Sequence, residues 1–245
     1  MEVSPYCIAG VSSAGVEGLT PLVLSLFPGI GLLDMAFEEE GFCVVRGPDL
    51  LWGGDITRFH PPAGKFDGVI GGPPCVGESR LAHLNGRPGF TLWQEFRRVV
   101  EEAHVFWWVM EAVKPNQHMD AKPMALNNRW LGEKQNRLRY FHSNLDLRPH
   151  IAVETLPHPE WKYAVLAGHG SAEGSIMRRM ATYTWADMCS LQGLPADFDL
   201  PGFTRQEKRR AVGNGVPLPM GRAVARAVKL AMYPEWAGEA TLTTG

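Results

Sequence analysis

An α/β fold, built on a doubly wound and mostly parallel sheet with one small irregular lobe, is what this 245-residue sequence predicts. Three observations carry the prediction. Short apolar runs of strand length alternate with amphipathic runs of helix length through the first half of the chain. Those strand-like runs are apolar at consecutive positions, as parallel strands covered by helices on both faces must be. Between residues 143 and 184 the alternation breaks into short pieces around Pro149, Pro157, Pro159 and the turn Gly168-His-Gly170, and helical patterns then return.

In chain order, residues 1–20 are rich in Ser and Gly and read as a loosely ordered tail, with order beginning at Pro21. Leu22-Val-Leu-Ser-Leu26 is a buried strand, Pro28-Gly-Ile-Gly31 a tight turn, and residues 32–40 a helix with apolar positions at 32, 33, 36 and 37. Residues 43–45 form a second strand. Residues 64–75 supply another strand and the loop after it, residues 91–103 a helix, and residues 104–110 a strand buried on both faces. Helices follow at 185–191 and 218–232. Residues 21–142 and 185–245 thus make one main domain, interrupted by a lobe at 143–184.

With 45% hydrophobic residues the chain can bury one sizeable core. Its start lacks a basic segment followed by an apolar one, and no stretch approaches membrane-spanning length, so the expected location is the cytoplasm. The cysteines at 7, 43, 75 and 189 show neither zinc spacing nor a disulfide framework, so no metal and only reduced thiols are expected. Net charge is −2, but its distribution is uneven. Arg129, Lys134, Arg137, Arg139 and Arg148 outnumber Glu133 and Asp146, and further basic clusters lie at Arg178-Arg179 and at Arg205 to Arg210. A basic face suited to phosphates is one reading, and separate solvated surfaces the other.

The chemistry concentrates at four places. Phe66-Asp-Gly-Val-Ile-Gly-Gly-Pro-Pro-Cys75 is a strand stopped by two prolines, which leaves Cys75 at the carboxyl edge where open α/β sheets bind ligands. A thiol there is placed to act as a nucleophile, although an isolated cysteine also reads as buried structure. The turn Phe27-Pro-Gly-Ile-Gly31 lets a nucleotide-like cofactor approach the backbone at a helix N-terminus. Asp49 is positioned to accept from ribose hydroxyls, and Asp55-Ile56 to bracket an adenine; either aspartate also reads as a loop residue. Glu111 ends an apolar strand, so its carboxylate is either paired or used as an acid or base. In Gln135-Asn-Arg-Leu-Arg139, strand alternation puts Arg137 and Arg139 on one face, suited to phosphate and a carbonyl oxygen.

From Leu22 to Val228 these motifs, in this order, resemble a DNA (cytosine-5)-methyltransferase. The matching pieces are Phe27-Pro-Gly-Ile-Gly31, Gly72-Pro-Pro-Cys75, Glu111 for the family's Glu-Asn-Val and Gln135-Asn-Arg-Leu-Arg139. Cys189-Ser-Leu-Gln-Gly-Leu-Pro-Ala-Asp-Phe198 and Val212-Gly-Asn-Gly-Val-Pro217 complete the set. The resemblance implies a Rossmann-like class I methyltransferase domain, S-adenosyl-L-methionine as methyl donor and S-adenosyl-L-homocysteine as product. It also implies double-stranded DNA as partner and a monomer. It implies Cys75, Glu111, Arg137 and Arg139 as catalytic residues, with the cofactor lined by Phe27, Gly29, Ile30, Gly31, Asp49, Asp55, Ile56, Pro73, Leu92, Asn214 and Val216. Pro74, Val76, Ser79, Gln135, His169, Arg178 and Arg179 are the expected substrate contacts, the last three from the short target-recognition lobe, which suits a recognition site of two to four base pairs. Three positions depart from the family pattern: Ala112 for its asparagine, Val76 for its glutamine and Gly215 for a frequent serine. The alternatives are a donor larger than a methyl group admitted by Ala112, an RNA cytosine-5 methyltransferase, or a non-catalytic DNA-binding relative.

Overall fold

The computed structural model describes residues 20–74, 92–119, 122–154, 161–167 and 183–234, together with the backbone of residues 2 and 3. A seven-stranded sheet runs in the order β1-β3-β2-β4-β5-β8-β6. Its centre is parallel: β3 (Cys43–Arg46), β2 (Leu22–Leu26), β4 (Gly68–Gly71) and β5 (Trp107–Ala112). The flanks are antiparallel. β8 (Leu138–Ser143) runs against β5 and β6 (Met124–Asn127) against β8, while β1 (Glu2–Val3) runs against β3 on the other side. The short strands β7 (Gln135–Asn136) and β9 (Lys162–Tyr163) pair separately.

Alternation along the parallel strands sends side chains to two cores, which is what double winding requires. Val23, Ile70, Trp107 and Val109 face one side, where α1 (Leu32–Glu39) and α5 (Leu218–Met232) cover them with Phe37, Met220, Val224 and Val228. Leu24, Leu26, Val69 and Met110 face the other, against Phe96, Val99 and Ala103 of α2 (Trp93–Ala103). A third cluster joins α1 to Met188 and Cys189 of α3 (Trp185–Gln192) and Val212 of α4 (Arg205–Asn214). Among the described residues no helix is long and apolar enough to cross a membrane.

Four expectations change. The N-terminal segment is not all tail, because Glu2 and Val3 extend the sheet opposite Arg46 and Val45. That pairing carries the chain start to the strand of Cys43, which is disulfide-bonded rather than reduced; its partner lies outside the described residues, and Cys189 is a free, buried thiol. The strand expected at 104–110 begins at Trp107, since α2 runs to Ala103 and His104 caps it with φ 52°. Glu111 is therefore inside the strand. Arg137 and Arg139 do not share a strand face, because Arg137 falls at the break between β7 and β8.

Two buried polar networks hold the elements that frame the carboxyl edge. Arg137 is 1% exposed and donates Nη1 to the Val165 carbonyl (2.6 Å) and Nη2 to the carbonyls of Gly213 (2.9 Å) and Gly215 (3.0 Å). Burial pushes its pKa down to about 9, so it stays a cation at neutral pH. Asp34 of α1 is fully buried, accepting from Ser25 Oγ of β2 (2.5 Å) and Arg46 Nε of β3 (3.0 Å). Burial raises its carboxyl to about 6 against the pull of Ser25 and Arg46, with the Glu38 charge adding to the rise.

Arg137→Met leaves three buried carbonyls without their donor and is expected to lower stability by roughly 3 kcal/mol in urea unfolding; an unchanged midpoint would mean that water replaces the guanidinium. For Asp34 the folded-state pKa lies above the unfolded one, so its contribution is greatest at low pH and is lost as the carboxyl ionises. The stability of the parent relative to Asp34→Asn should therefore fall by on the order of 3 kcal/mol as pH rises from 3.8 to about 6. Urea titrations of both proteins across that window measure it, and a flat difference would refute it.

Candidate active site

A cavity of about 560 Å³ opens at the carboxyl ends of β2, β4 and β5. Its size is that of sites for drug-sized ligands. The first wall is the turn after β2. Phe27 has φ 55°, an uncommon left-handed conformation for a bulky residue, and Gly29 and Gly31 follow with φ 58° and 80°. Gly31 caps α1, and a side chain there would run into the Arg46 guanidinium that Asp34 holds. The network under the turn thus dictates glycine at the helix start.

Asp49 fixes the same turn from the next loop. Its Oδ2 accepts from the Gly29 N–H (2.8 Å) and its Oδ1 from the Leu51 N–H (2.7 Å), while Trp52 Nε1 donates to the Gly29 carbonyl (2.7 Å). Asp55 accepts from both the N–H and the hydroxyl of Thr57, which hold its carboxyl below the usual range. Ile56 is buried beside it. Of the expected cofactor residues, Phe27, Gly29, Ile30, Asp49, Asp55, Ile56, Pro73, Leu92, Asn214 and Val216 line the cavity. Gly31 lies behind it.

The opposite wall is charged. Glu111 Oε1 accepts from Arg139 Nε at 2.8 Å, and both side chains are nearly buried. Burial pushes the Glu111 carboxyl upward, and Arg139 first, then Arg137, pull it down. A Cβ added to Gly72 would come within 3.0 Å of Glu111 Oε2, so a side chain where the chain leaves β4 would press on that carboxylate. Gly72, Pro73 and Pro74 then run along the cavity wall toward Cys75. Cys75 itself, with Val76, Ser79, His169, Arg178 and Arg179, lies outside the described residues.

Two expected site residues sit elsewhere. Gln135 is 1% exposed and turned into the protein, its amide donating to the Leu191 carbonyl (2.5 Å) and Gln192 Oε1 and its carbonyl accepting from the Val165 N–H. Saturated by the protein, it does not reach the cavity. Arg137 is likewise spent on backbone carbonyls, so it positions the site from behind rather than meeting a ligand. Ala112 also stays out of the cavity, because alternation on β5 turns it to the face opposite Glu111. At Gly215, a side chain would run into Leu32.

Other cavity residues escaped the sequence reading: Ser25, Asp34, Phe203, and Glu207, Arg210 and Ala211 of α4. Positions 207, 210, 211 and 214 follow helical spacing, so one face of α4 forms the roof. The signal was present. Thr204-Arg-Gln-Glu207 is a capping box, with Thr204 and Glu207 bonding each other's backbone N–H, and it announces a helix within what reads as a basic cluster.

No family model matches the chain. In sequence it is similar to the Type II methyltransferase M.FnuDI of Fusobacterium nucleatum, 31% identical over 110 residues that cover 38% of this chain and 32% of that one. It is also similar to M.NgoPII of Neisseria gonorrhoeae, 27% identical over 139 residues, covering 49% and 38%. The matched stretches thus span about a third of the length of these relatives. In structure it resembles a putative DNA modification methyltransferase encoded within an Escherichia coli prophage, with a TM-score of 0.60, 14% identity, and coverage of 87% of this chain and 99% of that one. The chain therefore has the Rossmann-like fold of the class I methyltransferases, and its resemblance to DNA methyltransferases, read first from its motifs, is found again in the sequences of Type II methyltransferases.

Proposed function

We propose that this chain transfers a methyl group from S-adenosylmethionine to C5 of cytosine in double-stranded DNA, with Cys75 as nucleophile. The observation that carries the reading is the Glu111–Arg139 pair set beside the Gly72-Pro73-Pro74 segment on one wall of the cavity, with a glycine turn of the kind that accepts nucleotides on the other. S-adenosylmethionine fits the donor set of that wall: a helix N-terminus opened by Gly29 and Gly31, the carboxylates of Asp49 and Asp55, and the apolar Ile56 and Leu92. When bound it supplies an electrophilic methyl group.

Cytosine within a duplex presents neither C6 nor C5 to such a cavity, so the base must leave the stack. The Cys75 thiolate adds to C6, and the electron pair of the C5–C6 bond moves to C5. Glu111 shares a proton with N3 and accepts from the exocyclic amine, while Arg139 donates at O2, so the charge that builds in the ring meets fixed partners. The upward pressure of burial on the Glu111 carboxyl suits a group that must hold a proton there. After C5 has gained the methyl group, loss of its proton to a base and expulsion of Cys75 restore the aromatic ring. The enlarged donor has no support in the placement of Ala112, which lines no part of the cavity. The reaction is expected in the cytoplasm of a bacterial or phage-infected cell, on a short DNA site.

Incubating the purified chain with S-adenosylmethionine and cytosine-rich duplex DNA should yield 5-methylcytosine by mass spectrometry. Cys75→Ala should abolish it, and Glu111→Gln should lower kcat about 100- to 1000-fold with donor affinity little changed. No product from the parent, product from Cys75→Ala, or methylation of RNA alone would each overturn the reading. Asp49→Ala removes the tie to Gly29 and should raise KM for S-adenosylmethionine about tenfold, equivalent to about 1.4 kcal/mol; an unchanged KM would show that the turn holds without it.

A further inference from the structure

Between β3 and β4 the chain runs along the cavity as a largely exposed loop. Asp49 and Trp52 tie its first half to the glycine turn. Its second half gives Gly54, Asp55 and Ile56 to the cavity wall and closes in the short helical turn Ile56–Arg58, where Thr57 and Arg58 are exposed. Local bonds shape that turn. Asp55 accepts from the N–H and hydroxyl of Thr57, and the Phe59 N–H donates to the Ile56 carbonyl (3.2 Å). Such bonds travel with the loop, so its position against the cavity must be set from outside.

That hold comes from α2. Arg98 Nη2 donates to the carbonyls of Ile56 (2.8 Å) and Phe59 (3.0 Å), so one group grips both ends of the turn. The rest of the guanidinium is fixed on the helix itself, Nε donating to Glu95 Oε2 (2.8 Å) and Nη1 to Glu102 Oε1 (2.8 Å). Glu102 Oε2 reaches back to the loop, 2.9 Å from Nδ1 of His60. Positions 95, 98 and 102 follow helical spacing, and Phe96 and Val99 of the same helix share a core cluster with the buried Ile56 side chain. Burial works against the Arg98 charge, but Glu102 and then Glu95 outweigh it and raise the guanidinium pKa above its ordinary value. The clamp is therefore a permanent cation.

We propose that Arg98 is the positioning residue for the adenine of the methyl donor: its grip on the two carbonyls holds Asp55 and Ile56 where they accept adenine and reject a ring that lacks the exocyclic amine. The inference rests on reading the cavity as a site for S-adenosylmethionine. A carboxylate accepts a hydrogen bond from an amine and repels a carbonyl oxygen in its place, and this selectivity needs a carboxylate that cannot swing aside. Asp55 sits exposed on a loop, so its rigidity has to be supplied by a neighbour. A planar fork of donors can serve two carbonyls and two carboxylates together, whereas the three donors of a lysine ammonium converge on one point. Arg98 does not itself line the cavity, so it acts through the loop.

Calorimetry on the full chain with S-adenosylhomocysteine and S-inosylhomocysteine, in which a carbonyl oxygen replaces the amine, tests the clamp. The parent should bind the first at least about tenfold more tightly. Arg98→Met should weaken S-adenosylhomocysteine about tenfold and leave S-inosylhomocysteine within about twofold of the parent, so that the ratio collapses. Arg98→Lys keeps the charge between Glu95 and Glu102 but loses the fork; its ratio should fall less, and it carries the test if the methionine variant does not fold. A parent without preference would overturn the clamp. So would a parent-like ratio in the variants, including equal losses for both ligands, which is what general loosening of the fold produces. Failure of the underlying readings looks different: a parent that binds neither ligand sinks the cofactor site and the clamp together, whereas Arg98-dependent preference without 5-methylcytosine sinks the proposed reaction only.

Discussion

A single buried cation ties the halves of this protein together. Arg137 sits where the chain breaks between β7 and β8, and its guanidinium reaches the carbonyl of Val165 on one side and those of Gly213 and Gly215 on the other. Those three carbonyls belong to the segment that follows β9 and to the end of α4 with the turn after it. The first lies within the segment expected to form the target-recognition lobe, and the second supplies Asn214 and Val216 to the cavity. A planar fork of donors can bind all three at once, whereas a lysine ammonium of similar reach lacks that geometry. Gln135 and Gln192 reinforce the junction, Gln135 bonding Val165 and Gln192 the carbonyl of Val212. Both side chains are buried, so their amides take their partners from the protein.

That arrangement divides labour between two arginines two residues apart. Arg137 is consumed by structure, so only Arg139 is left to face the cavity, and it arrives already paired with Glu111. Burial pushes the Glu111 carboxyl upward even with Arg139 beside it, so the pair stands close to the point at which the acid takes up a proton. The acid and the cation are thus positioned by the antiparallel pairing of β5 with β8, which sets Glu111 opposite Phe141 and brings Arg139 within reach. Across the cavity the glycine turn is held just as firmly, by Asp49 and Trp52 at Gly29 and by the Asp34–Arg46 pair behind Gly31. The left-handed backbone of Phe27 persists because both flanks are fixed.

The parallel centre of the sheet and the glycine turn after β2 were legible in the sequence because each rests on local physics: apolar runs and closely spaced glycines. The antiparallel flank was not. Met124-Ala-Leu-Asn127 is a short run with little to distinguish it from a loop, and it becomes a strand only because β8 offers it a partner. The fate of Arg137 was hidden for the same reason, since the carbonyls it binds lie up to 78 residues away in the chain. Helix α4 carried a readable capping box, yet its charges drew the eye to nucleic acid instead of to the helical face that roofs the cavity.

The departures at Ala112 and Gly215 have different physical standing. Gly215 is required, because α1 packs so closely that any side chain would strike Leu32. Ala112 pairs across the sheet with Tyr140 and is buried on the face away from Glu111, so exchanging an amide for a methyl group there alters packing beneath the end of β5 without enlarging the cavity. A polar side chain at 112 would need a partner on that face, and Val113, half exposed at the cavity rim, follows at once. The effect of Ala112 must therefore pass through how β5 ends at the cavity rim, not through the room available to the donor.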